Sequence, residues 1–182
     1  MTVGLLAENL LRKLLADPAG FNARERLLLS QERSQLARWK RAVELAFRRH
    51  YEIPIHLDID ASSAGAPVAS QYGGLIDLLE GDLAEIIEDR NKIAHGQWGW
   101  LLNNPETAFT GAAPEPINYR AIQARSKLVR EIAEVIEDLI VSEPTFARDY
   151  QRRVGRIQQL KGTLSGPDYP ALVKQIKGRH RH

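Results

Sequence analysis

The chain has 182 residues and a mass of 20.5 kDa, which suits a single domain that can bury a full hydrophobic core. Its hydrophobic fraction of 43% and charged fraction of 26% are those of an ordinary globular protein and exclude wholesale disorder. The absence of cysteine excludes a disulfide scaffold, a thiolate-ligated zinc site and a cysteine nucleophile.

The sequence contains no apolar run near the roughly 20 residues that a membrane-spanning helix needs. Glu8 also stands where a secretory signal peptide would have its apolar core. The sequence therefore predicts a cytoplasmic protein that has no membrane as a partner.

The charge is distributed unevenly along the chain. Residues 1–50 have a net charge of +5 and residues 141–182 of +6, whereas residues 51–100 carry −7. Basic segments of this kind can bind phosphate groups, and they can equally form ion pairs with the acidic segment. Charge alone favours the second interpretation, in which these side chains lie on solvated faces and pair within the molecule.

The apolar residues recur at helical spacing from the beginning of the chain. Leucines at three- and four-residue intervals over residues 5–15 predict a first helix, and Pro18 ends this pattern. Asn22 is a favourable N-cap for a second helix, which is predicted to run unbroken over residues 23–49. Residues 58–70 are rich in Ala, Ser, Gly and Pro and predict a loop.

The second half of the chain has the same periodicity. A third helix is predicted over residues 71–95, with Gly96 as the glycine that ends it. Gly73, Gly74 and Gly81 weaken this helix and could divide it. A fourth helix is predicted over residues 118–141 and a fifth over residues 144–160. The apolar stripe of the fourth helix, which we expect to be buried, contains Ile122, Leu128, Ile132, Val135, Ile136 and Leu139.

The prolines of residues 97–117 indicate an irregular segment between the third and fourth helices. No internal repeat and no strand pattern is visible in the sequence. The prediction is therefore an all-α bundle of about five helices over residues 1–162, followed by a tail over residues 163–182 that contains a short helix.

Most standard catalytic motifs are missing from the sequence, among them the phosphate-binding Gly-x-x-x-x-Gly-Lys loop and the zinc-binding His-Glu-x-x-His helix. Glu85 and Asp89 are four residues apart on a predicted helix, so both could reach one metal ion. No histidine follows at the spacing of a carboxylate-bridged two-metal site. We therefore interpret these carboxylates as a solvated helix face and expect no metal or other cofactor.

One segment combines residue types that bind phosphate and transfer protons: Arg90-Asn91-Lys92-Ile93-Ala94-His95-Gly96-Gln97-Trp98. Arginine offers paired donors to phosphate oxygens, and histidine exchanges a proton near neutral pH. Five residues of regular helix place Arg90 and His95 about 140° apart around the axis. They could therefore converge through the long arginine side chain, a frayed last turn or a second chain.

A structural interpretation of the same residues is also open. Arg90 could pair with nearby carboxylates such as Glu85 or Glu88, and His95 could interact with the negative end of the helix. In that case the protein would be a helical assembly protein without chemistry at this segment.

The string Arg90-Asn91-x-x-x-His95 resembles the Arg-x(4–6)-His motif of the HEPN superfamily, in which a polar residue often follows the arginine. In that family the motif lies late in a helix of a small α-helical bundle. The longer string from Arg90 to Trp98 is similar to a HEPN-like branch found among bacterial defence and toxin-like proteins. The resemblance thus implies a HEPN-like helical bundle.

The resemblance also implies an activity. Many HEPN proteins are metal-independent endoribonucleases that act as homodimers, with two motifs facing one cleft. Arg90 would bind the scissile phosphate, Asn91 would orient His95 or hold a phosphate oxygen, and His95 would act as general acid and base. The 2′-hydroxyl of the RNA would attack, leaving a cyclic phosphate. Such a protein could be a toxin or phage-defence effector, with an antitoxin or another defence-system protein as partner.

Two features of the family keep an alternative open. One toxin subgroup carries a tyrosine two residues after the histidine, which a partner enzyme modifies, and Gln97 occupies that position here. Other members have lost catalysis. The alternative is therefore a catalytically silent HEPN-like module that binds a nucleotide, RNA or a protein partner.

Further residues are candidates for binding RNA, and they are basic or aromatic side chains in or after the motif: Lys92, Trp98, Arg120, Arg125, Arg152 and Arg156. Trp98 could stack on an unpaired base, or it could anchor a loop against the bundle. The arginines could follow a phosphate backbone, or they could form an ordinary solvated face.

Overall fold

Helices account for about four fifths of the residues that the computed structural model describes, which are 3–94, 101–102, 109–111 and 119–164. In chain order the elements are α1 (Val3–Ala16), α2 (Ala23–Gln31), α3 (Gln35–His50), α4 (Ala66–Leu78), a π-helical turn (Leu79–Leu83), α5 (Ala84–Ala94), β1 (Leu101–Leu102), β2 (Phe109–Gly111), α6 (Tyr119–Val141) and α7 (Glu143–Leu164). The predicted all-α bundle is confirmed. The predicted tail over residues 163–182 lies almost entirely outside the described residues.

A short antiparallel pair of strands interrupts the segment that was expected to be irregular. Leu101 of β1 pairs with Gly111 of β2, and Leu102 pairs with Phe109. Strands of two and three residues are too short to show the alternation by which a strand is recognised in a sequence.

The prediction of one unbroken helix over residues 23–49 is wrong. The chain leaves helical geometry at Glu32, where ψ is 125°, and re-enters it after Ser34, where ψ is 153°. The Ser34 hydroxyl accepts a hydrogen bond from the Ala37 amide at 3.1 Å, so Ser34 is the N-cap of α3. The predicted cap of α2 is confirmed, because Asn22 and Glu25 form a reciprocal capping box.

Helix α3 provides the centre of the core. Trp39, Ala42, Val43, Ala46 and Phe47 on this helix are each 0% exposed. Helices α2, α4, α5 and α6 all pack against α3. The spacing of the apolar residues in α3 thus produces an apolar helix surface that several neighbouring helices bury together.

Helices α4 and α5 form one continuous rod through the π-helical turn. The rod begins at Ala66, so the predicted loop over residues 58–70 is shorter than expected. Gly65 precedes the helix with a φ of 81°, which glycine adopts without a Cβ clash. The core leucines at 75, 79 and 83 are four residues apart, a spacing that drifts about 40° per turn on a regular helix. The wider π-helical turn offsets this drift and keeps them on one face.

Helices α6 and α7 form an antiparallel pair. Five of the six residues in the predicted stripe of α6 are buried, and the sixth, Ile122, is 38% exposed because it lies in the first turn, at one end of the bundle. Helix α7 extends to Leu164, beyond its predicted end at residue 160, with Gly162 inside it. Within the described part of the chain, none of the helices has the combination of length and apolar character that crossing a membrane requires.

One side chain ties α7 to α6. Arg153 donates through Nε to Asp138 at 2.6 Å and through Nη1 to Glu134 at 2.6 Å, and its side chain is only 14% exposed. Its neighbour Arg152 is 53% exposed and contacts Asp149 on its own helix.

We predict that Arg153→Ala lowers the free energy of unfolding by about 2 kcal/mol, because two charge-assisted hydrogen bonds are lost from a half-buried network. Arg152→Ala, the matched control, should change it by less than about 0.5 kcal/mol, because exposed ion pairs contribute little. Urea denaturation of both variants measures the difference. Equal stability of the two variants would contradict this account of the α6–α7 contact.

Candidate functional site

Arg90 and Asn91 lie in the last turn of α5, at the surface of the bundle. The Arg90 guanidinium donates through Nη1 to the Asn91 Oδ1 at 3.1 Å, and its Nη2 lies 3.5 Å from the Glu8 Oε2. The Arg90 side chain is 34% exposed. A long, partly exposed ion pair of this kind is weak, so a phosphate group can replace Glu8 as the partner of Arg90.

The other residues of the motif are described only in part. His95 lies outside the described residues, and so does Trp98. Lys92 belongs to α5 and Arg120 to α6, but only their backbones are described.

The backbone of α1 approaches α5 closely at Arg90. A Cβ atom added to Gly4 would lie 2.3 Å from the Arg90 Cβ and 3.3 Å from the Ile86 carbonyl oxygen. Neither contact can be relieved by rotating the end of a side chain. Glycine at position 4 therefore sets the distance between the two helices and with it the position of the Arg90 side chain.

A cleft of about 610 Å³ runs beside Arg90 and Asn91, between α1, the turn from α2 to α3, and α5. Its charged lining consists of Arg12, Arg33, Arg38, Arg90, Glu8 and Glu88. Four arginines against two glutamates give this lining a net charge of +2. The cleft thus has the size of a ligand site and the charge that attracts an anion.

Glu8 contacts two of these arginines. Its carboxylate accepts a hydrogen bond from Arg12 at 2.5 Å and lies within 3.5 Å of Arg90. Since the Arg12 side chain is 73% exposed, the pair with Glu8 leaves most of the guanidinium open to solvent. Glu8 therefore holds the two arginines near each other without burying either.

Arg125 forms ion pairs within the bundle. It donates to Asp89 at 2.5 Å and to Glu85 at 2.8 Å, which connects α6 to α5 one turn before the motif. The carboxylates that were considered as a metal face are thus paired with an arginine. In the described part of the chain, no group of three or more His, Cys, Asp or Glu side chains is arranged to hold a metal ion.

Arg152 and Arg156 lie on α7 with about half of each side chain exposed. Arg156 is 4.0 Å from Glu131 of α6. None of the described residues of α7 lines the cleft beside Arg90. The structure therefore brings Arg90 and Asn91 together and leaves the two α7 arginines on a different surface.

The cleft contains residues that the sequence analysis did not select, namely Arg12, Arg33, Ser34, Gln35 and Arg38. Three of them lie at or next to the break between α2 and α3. The signal available in the sequence was Ser34, a favourable N-cap residue inside the polar run Gln31-Glu32-Arg33-Ser34. The proximity of Arg12 and Arg33 to Arg90 results from helix packing and has no local signal.

Comparison with known proteins gives no relative: no protein-family model matches the chain, and neither a curated protein nor a solved structure is significantly similar to it.

We predict that Gly4→Ala destabilises the protein by about 1–3 kcal/mol, because the added methyl group forces α1 away from α5. The matched control is Gly73→Ala, at a helical position where an added Cβ meets no atom within 4 Å. That variant should be stabilised by about 0.5–1 kcal/mol, because alanine loses less backbone entropy than glycine on folding. Thermal unfolding measures both changes, and a neutral Gly4→Ala would refute the close contact at Arg90.

Proposed function

We propose that this protein is a metal-independent endoribonuclease of HEPN type that acts as a homodimer. The observation that carries the proposal is the position of Arg90. Its guanidinium is partly exposed, weakly held by Glu8, next to Asn91, and on the rim of a basic cleft. A phosphodiester placed there meets paired arginine donors and an amide group within one turn of helix.

In the proposed reaction the 2′-oxygen of a ribose attacks the adjacent phosphorus while the bond from phosphorus to the 5′-oxygen breaks. His95 removes the 2′-hydroxyl proton as general base and returns a proton to the departing 5′-oxygen as general acid, and Arg90 stabilises the charge that develops on the phosphate. The products are a 2′,3′-cyclic phosphate and a 5′-hydroxyl. DNA has no 2′-hydroxyl and is not a substrate.

A homodimer can bring the arginine and the histidine of the motif together. On a regular helix, residues five apart lie about 140° from each other around the axis, so a second chain is one way to bring an arginine and a histidine of this spacing to the same phosphate. Across a twofold axis, Arg90 of one protomer works with His95 of the other. The cellular role that fits such an enzyme is that of a cytoplasmic toxin or phage-defence effector, with an antitoxin or another defence protein as partner.

A catalytically silent module that binds a nucleotide, RNA or a protein partner is the second candidate. The cleft supports it, because a volume of about 610 Å³ lies within the range of sites that hold a small ligand. The two candidates differ in whether His95 takes part in bond cleavage.

We predict that the wild type cleaves RNA in excess EDTA and that His95→Ala and Arg90→Ala each reduce the rate by about 10²–10⁴-fold, because a proton carrier or a phosphate ligand is lost. The matched control is Arg148→Ala, which removes a 70% exposed arginine that is bonded to Asp149. Purified protein is incubated with total RNA and with tRNA, and the product ends are identified.

Cleavage that leaves cyclic phosphates, lost in both motif variants and retained in Arg148→Ala, is the expected result. Undiminished cleavage by His95→Ala would refute the mechanism. An inert wild type that still binds RNA would refute the enzyme and favour the silent module.

A further inference from the structure

The cleft beside Arg90 contains a polar group that the described residues leave unsatisfied. Gln35 begins α3 and lines the cleft, and its Nε2 is buried with no hydrogen-bond partner in the described part of the chain. Buried amide donors are nearly always paired, since an unmade hydrogen bond costs free energy. Gln35 as a whole is only partly buried. A rotation of its side chain would therefore turn Nε2 into the cleft, where an acceptor atom on a ligand can supply the missing bond.

Two arginines near Gln35 also retain unused donors. The Arg33 side chain is exposed in the turn between α2 and α3, and it forms no ion pair with any described residue. Arg38 donates through Nε to the Glu32 carbonyl at 2.9 Å, and within the described residues it too has no carboxylate partner. Guanidinium donors of this kind are suited to phosphate oxygens.

The start of α3 adds to the positive potential of the cleft. Ser34, Gln35 and Leu36 all line it, so the N-terminal end of a 16-residue helix lies at its wall. The first turn of α3 contains no acidic residue that would cancel the helix dipole there. The arginines and the helix end thus favour negative charge on the same side of the cleft.

Part of the lining is apolar. Leu11, Leu15, Leu36 and Ile87 also border the cleft, with Leu11 and Ile87 buried and the other two partly buried. A site for inorganic phosphate alone would not need such a surface. The ligand that fits has a charged part for the arginines, a flat or apolar part for the leucines and an acceptor for Gln35.

We propose that this cleft holds an unpaired nucleotide of single-stranded RNA next to the phosphate bound by Arg90. Its phosphate contacts Arg33 and Arg38, its base packs on the leucines, and Gln35 donates from Nε2 to an acceptor on the base edge. The inference rests on the proposed function, because Arg90 and Asn91 line the same cleft and, in the proposed reaction, contact the phosphate at which the RNA strand is cut. Double-stranded RNA does not fit, since its bases are paired and stacked.

The test measures binding separately from cleavage. The probe is a fluorescent 2′-O-methyl RNA oligonucleotide, which has no free 2′-hydroxyl and cannot be cut by the proposed mechanism. Fluorescence anisotropy gives its dissociation constant over a range of salt concentrations for the wild type, Arg33→Ala, Gln35→Leu and the control Arg24→Ala. Arg24 is an exposed arginine of α2 that does not line the cleft.

Arg33→Ala should bind the probe several-fold more weakly, and the slope of log affinity against log salt should fall by about 0.7, the value for one phosphate contact on a single strand. Gln35→Leu should keep the salt slope and bind homopolymer probes of different bases with more similar affinities, because a base-edge contact is lost. Arg24→Ala should bind as the wild type does. Circular dichroism checks that each variant is folded.

Equal affinities of Arg33→Ala and Arg24→Ala would overturn the proposal, as would a wild type that binds no probe. Equally tight binding of a double-stranded probe would overturn it too. So would adenosine monophosphate competing as well as an oligonucleotide, since the cleft would then be a site for a free nucleotide. A wild type that binds the probe through Arg33 but leaves unmodified RNA intact would refute the proposed ribonuclease activity and support the proposed binding of single-stranded RNA in the cleft.

Discussion

The bundle depends on the burial of one helix face. Trp39, Val43 and Phe47 of α3 are fully buried, and four other helices pack against α3. Because these helices share a single buried surface, their relative positions are fixed by close packing, which tolerates little displacement. The surface ion pairs contribute much less. The position of α5, and therefore of Arg90, follows from this core.

The cleft is a consequence of that packing. Gly4 lets α1 approach α5 at Arg90, while the break at Glu32–Ser34 ends α2 and directs the first turn of α3 to the same side. Basic residues from three separate parts of the sequence thereby face one opening. The apolar floor is the outer edge of the core itself, where Leu11 and Ile87 border the cleft. A site with charged walls and an apolar floor therefore forms where α1, α5 and the start of α3 meet.

The sequence predicted the fold class, the cap at Asn22 and the bounds of α6 because each depends on local rules of spacing and capping. It did not predict the break between α2 and α3. Leu29 and Leu36 are seven residues apart, close to two helical turns, so the apolar period continues across a segment that is not helical. The extended backbone at Glu32 and Ser34 and the capping hydrogen bond of Ser34 divide this segment into two helices.

The candidate site was predictable only where its residues form a local sequence pattern. Arg90 and Asn91 were selected from a local motif, whereas Arg12, Arg33 and Gln35 join them through tertiary packing that a single sequence does not show. Arg125, in contrast, was selected from the sequence but is not available to a ligand in the structure. Its charge was compatible with RNA, but two carboxylates of α5 already bind it.

The most direct measurement uses two variants that are each expected to be inactive. Arg90→Ala and His95→Ala are expressed together with different affinity tags, and the mixed dimer is isolated and assayed on RNA in EDTA. If Arg90 of one protomer works with His95 of the other, the mixed dimer retains one intact pair and recovers about half of the wild-type activity per dimer. An inactive mixed dimer beside an active wild type would contradict a site shared across the dimer, and activity in either parent variant would contradict the role of the motif.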